Sequence, residues 1–193
     1  MNLVIKTVLK ALAVAVASIA FVGCTTTMKS DSASAPTSRT AIDSQVDVAL
    51  AKLYSNVPGS RELVAKSRGV LVFPDVIGAS LVVGAQYGRG ALRVDRRTEA
   101  YYSTTAGSLG FQAGAQSKAV IYLFTTQQAL DKFRDSKGWT VGADATVALA
   151  TIGANGSVDT NTAQQPVVGF VLTNVGLEAG VSLQGAKIER VQI

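Results

Sequence analysis

The stretch AVIYLF at residues 119–124 decides the fold class of this chain. It is a short run of β-branched and aromatic residues, and runs of the same kind recur at residues 69–73 (GVLVF) and 167–172 (VVGFVL). Shorter runs lie at residues 80–83, 91–94 and 146–149, and Gly, Pro, Asn or Asp residues separate them. This pattern predicts six or more short strands. With 18 glycines and only 16% charged residues, we expect a glycine-rich antiparallel sheet, closed like a barrel or packed as a sandwich.

Helical periodicity precedes the strands. Thr40, followed by Asp43, is an N-cap signal, and apolar residues then recur at helical spacing. These apolar residues are Ile42, Val46, Ala49, Leu50 and Leu53. A second short helix is predicted at residues 60–67 (SRELVAKS). We expect the apolar stripe of the first helix to pack on the sheet, because its polar face carries Asp43 and Asp47 with only Lys52.

One further helix interrupts the strands and is expected to cap the sheet. Thr125 with Gln128 fits a capping box, and Gly138 is placed to end the helix. The apolar stripe is Ala129, Leu130 and Phe133. Trp139, the single tryptophan, is interpreted as a core anchor. The predicted fold class is therefore α+β, with N-terminal amphipathic helices and one capping helix.

The N-terminus has the organisation of an export signal. Lys6 and Lys10 precede an uncharged apolar run at residues 11–22, which is too short for a membrane span of about 20 apolar residues. The sequence FVGC, ending at Cys24, resembles the lipobox of bacterial lipoproteins, although Phe and Val depart from the usual residues. That resemblance implies a signal peptide at residues 1–23, with diacylglycerol and acyl chains on Cys24. The alternative is an ordinary cleavage site near an ordinary cysteine.

The segment after the cysteine is typical of a tether. Residues 24–40 are rich in Ser, Thr and Ala, and the folded domain is predicted at residues 41–193. Loss of Lys6 and Lys10 with the signal lowers the net charge from +5 to +3. By the bacterial sorting pattern that the resemblance implies, Thr25 directs the lipoprotein to the outer membrane, on a face that the sequence does not specify.

The composition excludes several kinds of chemistry. There is no histidine and only one cysteine, which excludes a histidine-based triad, a His or Cys metal site and an intrachain disulfide. The hydroxyl-rich strand at residues 101–105 has only Lys118 nearby as a candidate base. We therefore expect no enzyme activity, no metal and no cofactor, and the modest charge argues against nucleic-acid binding.

Glycines recur four residues apart in three segments, at residues 84–88, 110–115 and 176–181. In a strand this spacing leaves a strip without side chains on one face, where an acyl chain could lie. The alternative is that the glycines only relieve crowding in a curved sheet. The candidate acyl-contact residues are Gly84, Gly110, Gly114, Gly176 and Gly180.

Several motifs together resemble the SYLF lipid-binding domain family. They are the stretches at residues 73–74 (FP), 83–92 (VGAQYGRGAL), 102–108 (YSTTAGS), 110–116 (GFQAGAQ), 130–133 (LDKF) and 176–183 (GLEAGVSL). The resemblance covers residues 46–190, nearly the whole globular part. It implies lipid binding as a class, and it implies membrane insertion through the N-terminal helical region.

The sequence also carries candidate residues for lipid headgroups. Arg89, Arg93, Arg96 and Arg97 fall within nine residues, with Lys66 and Arg68 upstream. If residues 89–97 are extended, three of the arginines share one face and could bind phosphates bidentately. The alternative is a solvated hairpin turn in which Asp95 and Glu99 partly neutralise the arginines.

These observations favour a lipid-anchored cell-envelope protein whose domain binds anionic phospholipid. The alternative function is a structural or adhesive surface lipoprotein that contacts an unidentified protein partner and touches lipid only through Cys24.

Overall fold

The structure is a computed structural model and describes residues 38–80, 83–109, 114–151, 158–178 and 181–193. The predicted signal peptide, Cys24 and most of the tether lie outside these residues. Four helices are formed in the described part: α1 (Arg39–Asn56), α2 (Ser60–Lys66), α3 (Gln127–Asp135) and α4 (Thr160–Ala163). The nine strands there are β1 (Gly69–Ser80), β2 (Val83–Val94), β3 (Arg97–Leu109), β4 (Gly114–Phe124), β5 (Trp139–Thr140), β6 (Ala148–Leu149), β7 (Val167–Thr173), β8 (Gly176–Leu177) and β9 (Lys187–Val191).

All nine strands belong to one sheet, whose order is β5-β9-β3-β2-β1-β4-β7-β6, with β8 paired to β7. The α+β class is confirmed. The sheet is nevertheless mixed rather than wholly antiparallel, because β6 runs parallel to β7. Four long antiparallel strands, β1 to β4, form its centre in the order β3-β2-β1-β4.

The long strands differ in extent from the predicted ones. The apolar runs at residues 69–73, 91–94 and 119–124 are only the ends of β1, β2 and β4. The predicted strand at residues 80–83 falls partly outside the described residues, which omit 81 and 82. Ser80 ends β1 and Val83 begins β2, which pairs antiparallel with β1. The hydroxyl-rich strand is confirmed as part of β3, although its full length of 13 residues was not predicted.

The sheet curls strongly into a half-barrel. Trp139 on β5 and Tyr122 on β4 are five strand positions apart, which would separate them by about 24 Å in a flat sheet. Their ring centroids are 5.9 Å apart, edge to face. The edge strands therefore bend toward each other, and the concave face encloses an aromatic core.

Two apolar cores lie on the two faces of the sheet, and the strands are apolar on both sides. Along β1, Leu71 and Phe73 face the concave core, whereas Val70 and Val72 face the convex core. Helix α3 covers part of the concave core with Leu130 and joins the aromatic cluster through Phe133, whose ring centroid lies 5.4 Å from that of Trp139. The assignment of Trp139 as a core anchor is confirmed, since it is 1% exposed.

Helix α1 covers the convex core. The predicted apolar stripe of α1 is buried, which confirms that it packs on the sheet. The helix begins two residues earlier than predicted, because the N-cap is Ser38 rather than Thr40, and the Ser38 hydroxyl accepts a hydrogen bond from the Ala41 amide at 3.2 Å. Helix α2 agrees with the prediction.

The caps of α3 also differ from the prediction. Its N-cap is Thr126 rather than Thr125, and the Thr126 hydroxyl accepts from the Ala129 amide. The helix ends at Asp135 with Ser136 as its C-cap, so Gly138 does not terminate it.

Residues 33–193 form one compact unit, and the whole described core lies within it. In the part of the chain that is described, no helix is long and apolar enough to cross a bilayer.

Candidate functional site

Arg93 joins the sheet to helix α1. Its guanidinium forms a salt bridge with Asp47 and donates through Nη2 to the carbonyl oxygen of Asp43 at 3.0 Å. The Arg93 side chain is 15% exposed, and its buried Nε has no hydrogen-bond partner among the described residues. The Asp43 carboxylate accepts further hydrogen bonds from Thr98 and Tyr101. Arg93 is therefore held in a structural contact and is not presented to a ligand.

The other three arginines are separated by a chain reversal. Asp95 and Arg96 have φ values of 49° and 65°, and Val94 pairs with Arg97 across a two-residue turn. The hairpin alternative is thus confirmed, and the extended segment with three arginines on one face is wrong. Glu99 does not neutralise these arginines through a salt bridge, since its carboxylate pairs with Arg134.

Arg89 lies five residues along β2 from this turn, which is about 17 Å in an extended strand. Its Nε donates to the Tyr87 hydroxyl at 2.8 Å, and its Cα pairs with Asp75 on β1. The four arginines of the predicted headgroup cluster therefore do not lie together. Arg89 lies apart, Arg93 is structural, and Arg96 and Arg97 lie at the turn.

The remaining predicted cations come together with Arg96 and Arg97 at one end of the sheet. Arg68 immediately precedes β1, and its amide donates to the Phe124 carbonyl at the end of β4. Since Val70 pairs with Arg93, Arg68 is level with the β2–β3 turn. Lys66 ends helix α2 just before it. We call this surface the basic end and define it by Arg61, Lys66, Arg68, Arg96 and Arg97.

Arg61 was missed by the sequence reasoning. It lies on α2 with its guanidinium 4.4 Å from the centroid of the Tyr54 ring. Burial raises the pKa of Tyr54, while Arg61, Arg93 and Arg96 lower it, which places these three arginines around one phenol. The sequence could have indicated Arg61, because the helical segment SRELVAKS carries both Arg61 and Lys66.

The candidate glycines do not form one strip. By the alternation along each strand, Gly84 on β2 falls on the same concave face as Gln86, and Gly114 on β4 falls on the same face as Lys118. Gly176 lies on β8 with φ +132°, and a Cβ there would be 3.8 Å from the Asn56 side chain of α1. Gly110 and Gly180 lie outside the described residues.

The concave face contains a cavity of about 250 Å³. It lies beyond the aromatic core, toward the ends of the strands where β1 finishes and β2 begins. Residues from β1, β2, β3, β4 and the segment before β9 line it. The lining residues are Val76, Gln86, Thr104, Ala106, Gly107, Lys118, Val120, Tyr122, Ser182, Leu183, Gln184 and Ala186.

Small residues reduce crowding around this cavity. Gly88 on β2 also falls on the concave face, where a Cβ would lie 2.9 Å from the Val76 side chain and from the Asp75 carbonyl oxygen. Ala106 on β3 is half-buried and adds only a methyl group to the wall. Burial raises the pKa of Tyr122, which is 1% exposed in the wall of the cavity, so this phenol stays protonated at neutral pH.

Of the residues that the structure describes, Lys118 is the single charged one that lines the cavity. It pairs with Val76 across β1 and β4 and is half-buried. No salt bridge joins it to an acidic side chain in the described part of the chain. In the sequence, Lys118 stands out only as a candidate base beside the hydroxyl-rich strand. Its place in the cavity depends on the curl of the sheet.

The described residues contain no group of three or more acidic or thiol side chains that could hold a metal ion.

The comparison with family models matches residues 105–192 to a family described as Ysc84, Las17-binding protein actin regulator. This segment is similar to the SYLF family that the sequence motifs resemble. The match runs from the second half of β3 to the end of β9 and includes Lys118 and the cavity walls on β4 and before β9. The SYLF-like motifs at residues 73–74 and 83–92 precede the matched segment. No curated protein matches the chain.

Proposed function

We propose that this protein is a lipid-anchored component of the cell envelope whose SYLF domain binds anionic phospholipid through the basic end. The observation that carries the proposal is the grouping of exposed or half-exposed cations at one end of the sheet. In the described part of the chain, no salt bridge neutralises Arg61, Lys66, Arg68, Arg96 or Arg97. Guanidinium groups bind phosphate oxygens with two parallel hydrogen bonds, which suits them to lipid headgroups.

The binding free energy expected from the basic end suits a protein that is already tethered to the membrane. Each basic group near an anionic surface contributes about 1 kcal/mol, so five of them contribute roughly 5 kcal/mol at low salt. That alone corresponds to weak binding. Covalent acyl chains on Cys24 would keep the domain near the bilayer, so that weak contact suffices. The outer membrane is the proposed location, from the residue that follows Cys24.

Flotation with vesicles tests the headgroup contact. The protein would be the chain from Thr25 onward, which lacks the acyl anchor, mixed with phosphatidylglycerol, cardiolipin or phosphatidylcholine vesicles. Anionic vesicles should carry the protein upward, and added salt should weaken this because exposed charges are screened. The double variant Arg96→Gln and Arg97→Gln should bind about thirtyfold more weakly, from about 2 kcal/mol of lost attraction.

Lys187→Gln is the matched control, since Lys187 is an exposed cation on β9 whose only salt bridge is the surface pair with Glu189. It should float like the parent protein. Equal loss in the control, or binding that is indifferent to salt, would refute the basic end as the contact. Labelling of cells with radioactive palmitate tests the anchor separately, and Cys24→Ser should abolish that label.

A second candidate function rests on the description of the matched family, which names binding to the protein Las17 and regulation of actin. By analogy, the domain would contact a protein of the envelope, with lipid touched only through Cys24. This candidate predicts that the chain from Thr25 onward does not float with any vesicle. Chemical cross-linking on intact cells would then identify the partner.

A further inference from the structure

The concave cavity combines an apolar wall with a polar rim. Val76, Val120, Leu183 and Ala186 are each less than 9% exposed and supply apolar surface. Gln86, Thr104, Ser182 and Gln184 supply hydrogen-bonding side chains. Small-molecule sites in proteins have this character, with apolar walls and a few polar groups that fix orientation.

The charge that lines the cavity is positive. Among the described residues, Lys118 is its single charged lining residue, and no acidic side chain lines it. An ammonium group that is partly removed from water without a counter-ion is unfavourable, and a bound anion would remove this cost. The cavity thus selects against cations and favours a ligand with one negative charge.

The volume restricts the size of the ligand. A water-sized group occupies about 30 Å³, so a cavity of about 250 Å³ holds roughly eight such groups. This is enough for a carboxylate with a short alkyl chain. It is too small for a whole phospholipid, whose two acyl chains would have to remain outside.

We infer that the concave cavity is a binding site for a small anionic amphiphile, a free monocarboxylate with an alkyl chain. The carboxylate pairs with the Lys118 ammonium and the alkyl chain lies against Val76, Val120 and Leu183. The small side chain of Ala106 leaves space in the wall for the alkyl chain. This site is distinct from the basic end and stands whether or not the basic end binds membranes.

Calorimetric titration with octanoate tests the inference, with octanol and octylammonium as ligands of similar length and different charge. The protein would again be the chain from Thr25 onward, which contains the whole compact unit of residues 33–193. We expect octanoate to bind, octanol to bind roughly tenfold more weakly, and octylammonium not to bind. The reason is that a charge-assisted hydrogen bond is worth at least a tenfold difference in affinity.

Three variants locate the site. Lys118→Met keeps the apolar stem and should weaken octanoate roughly tenfold without changing octanol. Ala106→Leu should fill the cavity and abolish binding of both ligands, and its circular dichroism should match the parent. Lys187→Met removes a lysine outside the cavity and should leave all affinities unchanged.

Specific outcomes would overturn the inference. Equal affinity for octanoate and octanol, or octanoate binding that survives both Lys118→Met and Ala106→Leu in the folded proteins, would show that the ligand lies elsewhere. Loss of phosphatidylglycerol flotation in Lys118→Met would overturn the assignment to a free monocarboxylate, because it would make the lysine part of the membrane contact. Failure of the parent protein to float with vesicles would refute the basic end as a membrane contact, but it would not affect the inference about the cavity.

Discussion

Replacement of Gly90 by alanine should destabilise the domain severely. Gly90 lies on β2 opposite the point where the pairing of β1 shifts register between Val72 and Asp75. The irregularity brings β1 over Gly90, so that an added Cβ would collide with the Val72 carbonyl oxygen and lie 2.8 Å from the Phe73 ring. One obstacle is backbone and the other is a fully buried ring, so neither can yield by a simple side-chain rotation.

The size of the effect follows from these contacts. Overpacking a well-filled core costs about 1–3 kcal/mol, and a collision with backbone belongs at the upper end. We expect a loss of about 3 kcal/mol in the free energy of unfolding. For a domain of this size each kcal/mol lowers the melting temperature by about 2–4 °C, so Gly90→Ala should melt about 6–12 °C lower.

Gly107→Ala on the neighbouring strand β3 is the matched control. A Cβ at Gly107 would have no atom within 4 Å, so the substitution should be neutral or raise stability by about 0.5 kcal/mol through the unfolded state. Thermal melts followed by circular dichroism would measure both variants. The packing argument would be refuted if the two variants melted within about 2 °C of each other.

Two further predictions concern buried polar groups. Burial raises the pKa of Tyr122 above its value in the unfolded chain, so its contribution to stability is complete below about pH 9 and is lost as the pH rises further. Denaturant titration should show a loss of about 1.4 kcal/mol between about pH 9 and pH 11 that is absent in Tyr122→Phe. Arg93→Ala should cost about 2–3 kcal/mol, because it removes the hydrogen bonds and the packing that join β2 to α1, whereas Asp47→Asn should cost less than about 1 kcal/mol because the Asp47 side chain is 67% exposed. Urea unfolding of both variants would measure this difference, and equal losses would contradict the structural role assigned to Arg93.

The parts of the fold that depend on local periodicity could be predicted from the sequence. Helix α1 was predicted because its buried residues recur at helical spacing, and the central strands were predicted because β-branched runs are buried on both faces. Strand β3 was harder to delimit. Its residues 101–105 are Tyr, Tyr, Ser, Thr and Thr, which do not alternate between apolar and polar side chains.

The arrangement of the candidate sites depends on tertiary structure and could not be predicted in the same way. The turn at Asp95 and Arg96 has no glycine, although both residues have positive φ, so the usual hairpin signal was absent. That turn decides which arginines lie together. Likewise, Lys118 enters the cavity only because the sheet curls and because β9 and the segment before it close one side.

The aromatic core also provides an intrinsic optical reporter. The chain has one tryptophan, so its fluorescence arises from a single known position. Trp139 is shielded from solvent and lies edge to face against Tyr122, which is itself part of the cavity wall. Emission from Trp139 should therefore be blue-shifted and resistant to iodide quenching in the folded domain, and a change in emission on adding a small molecule would report events on the concave face without any attached dye.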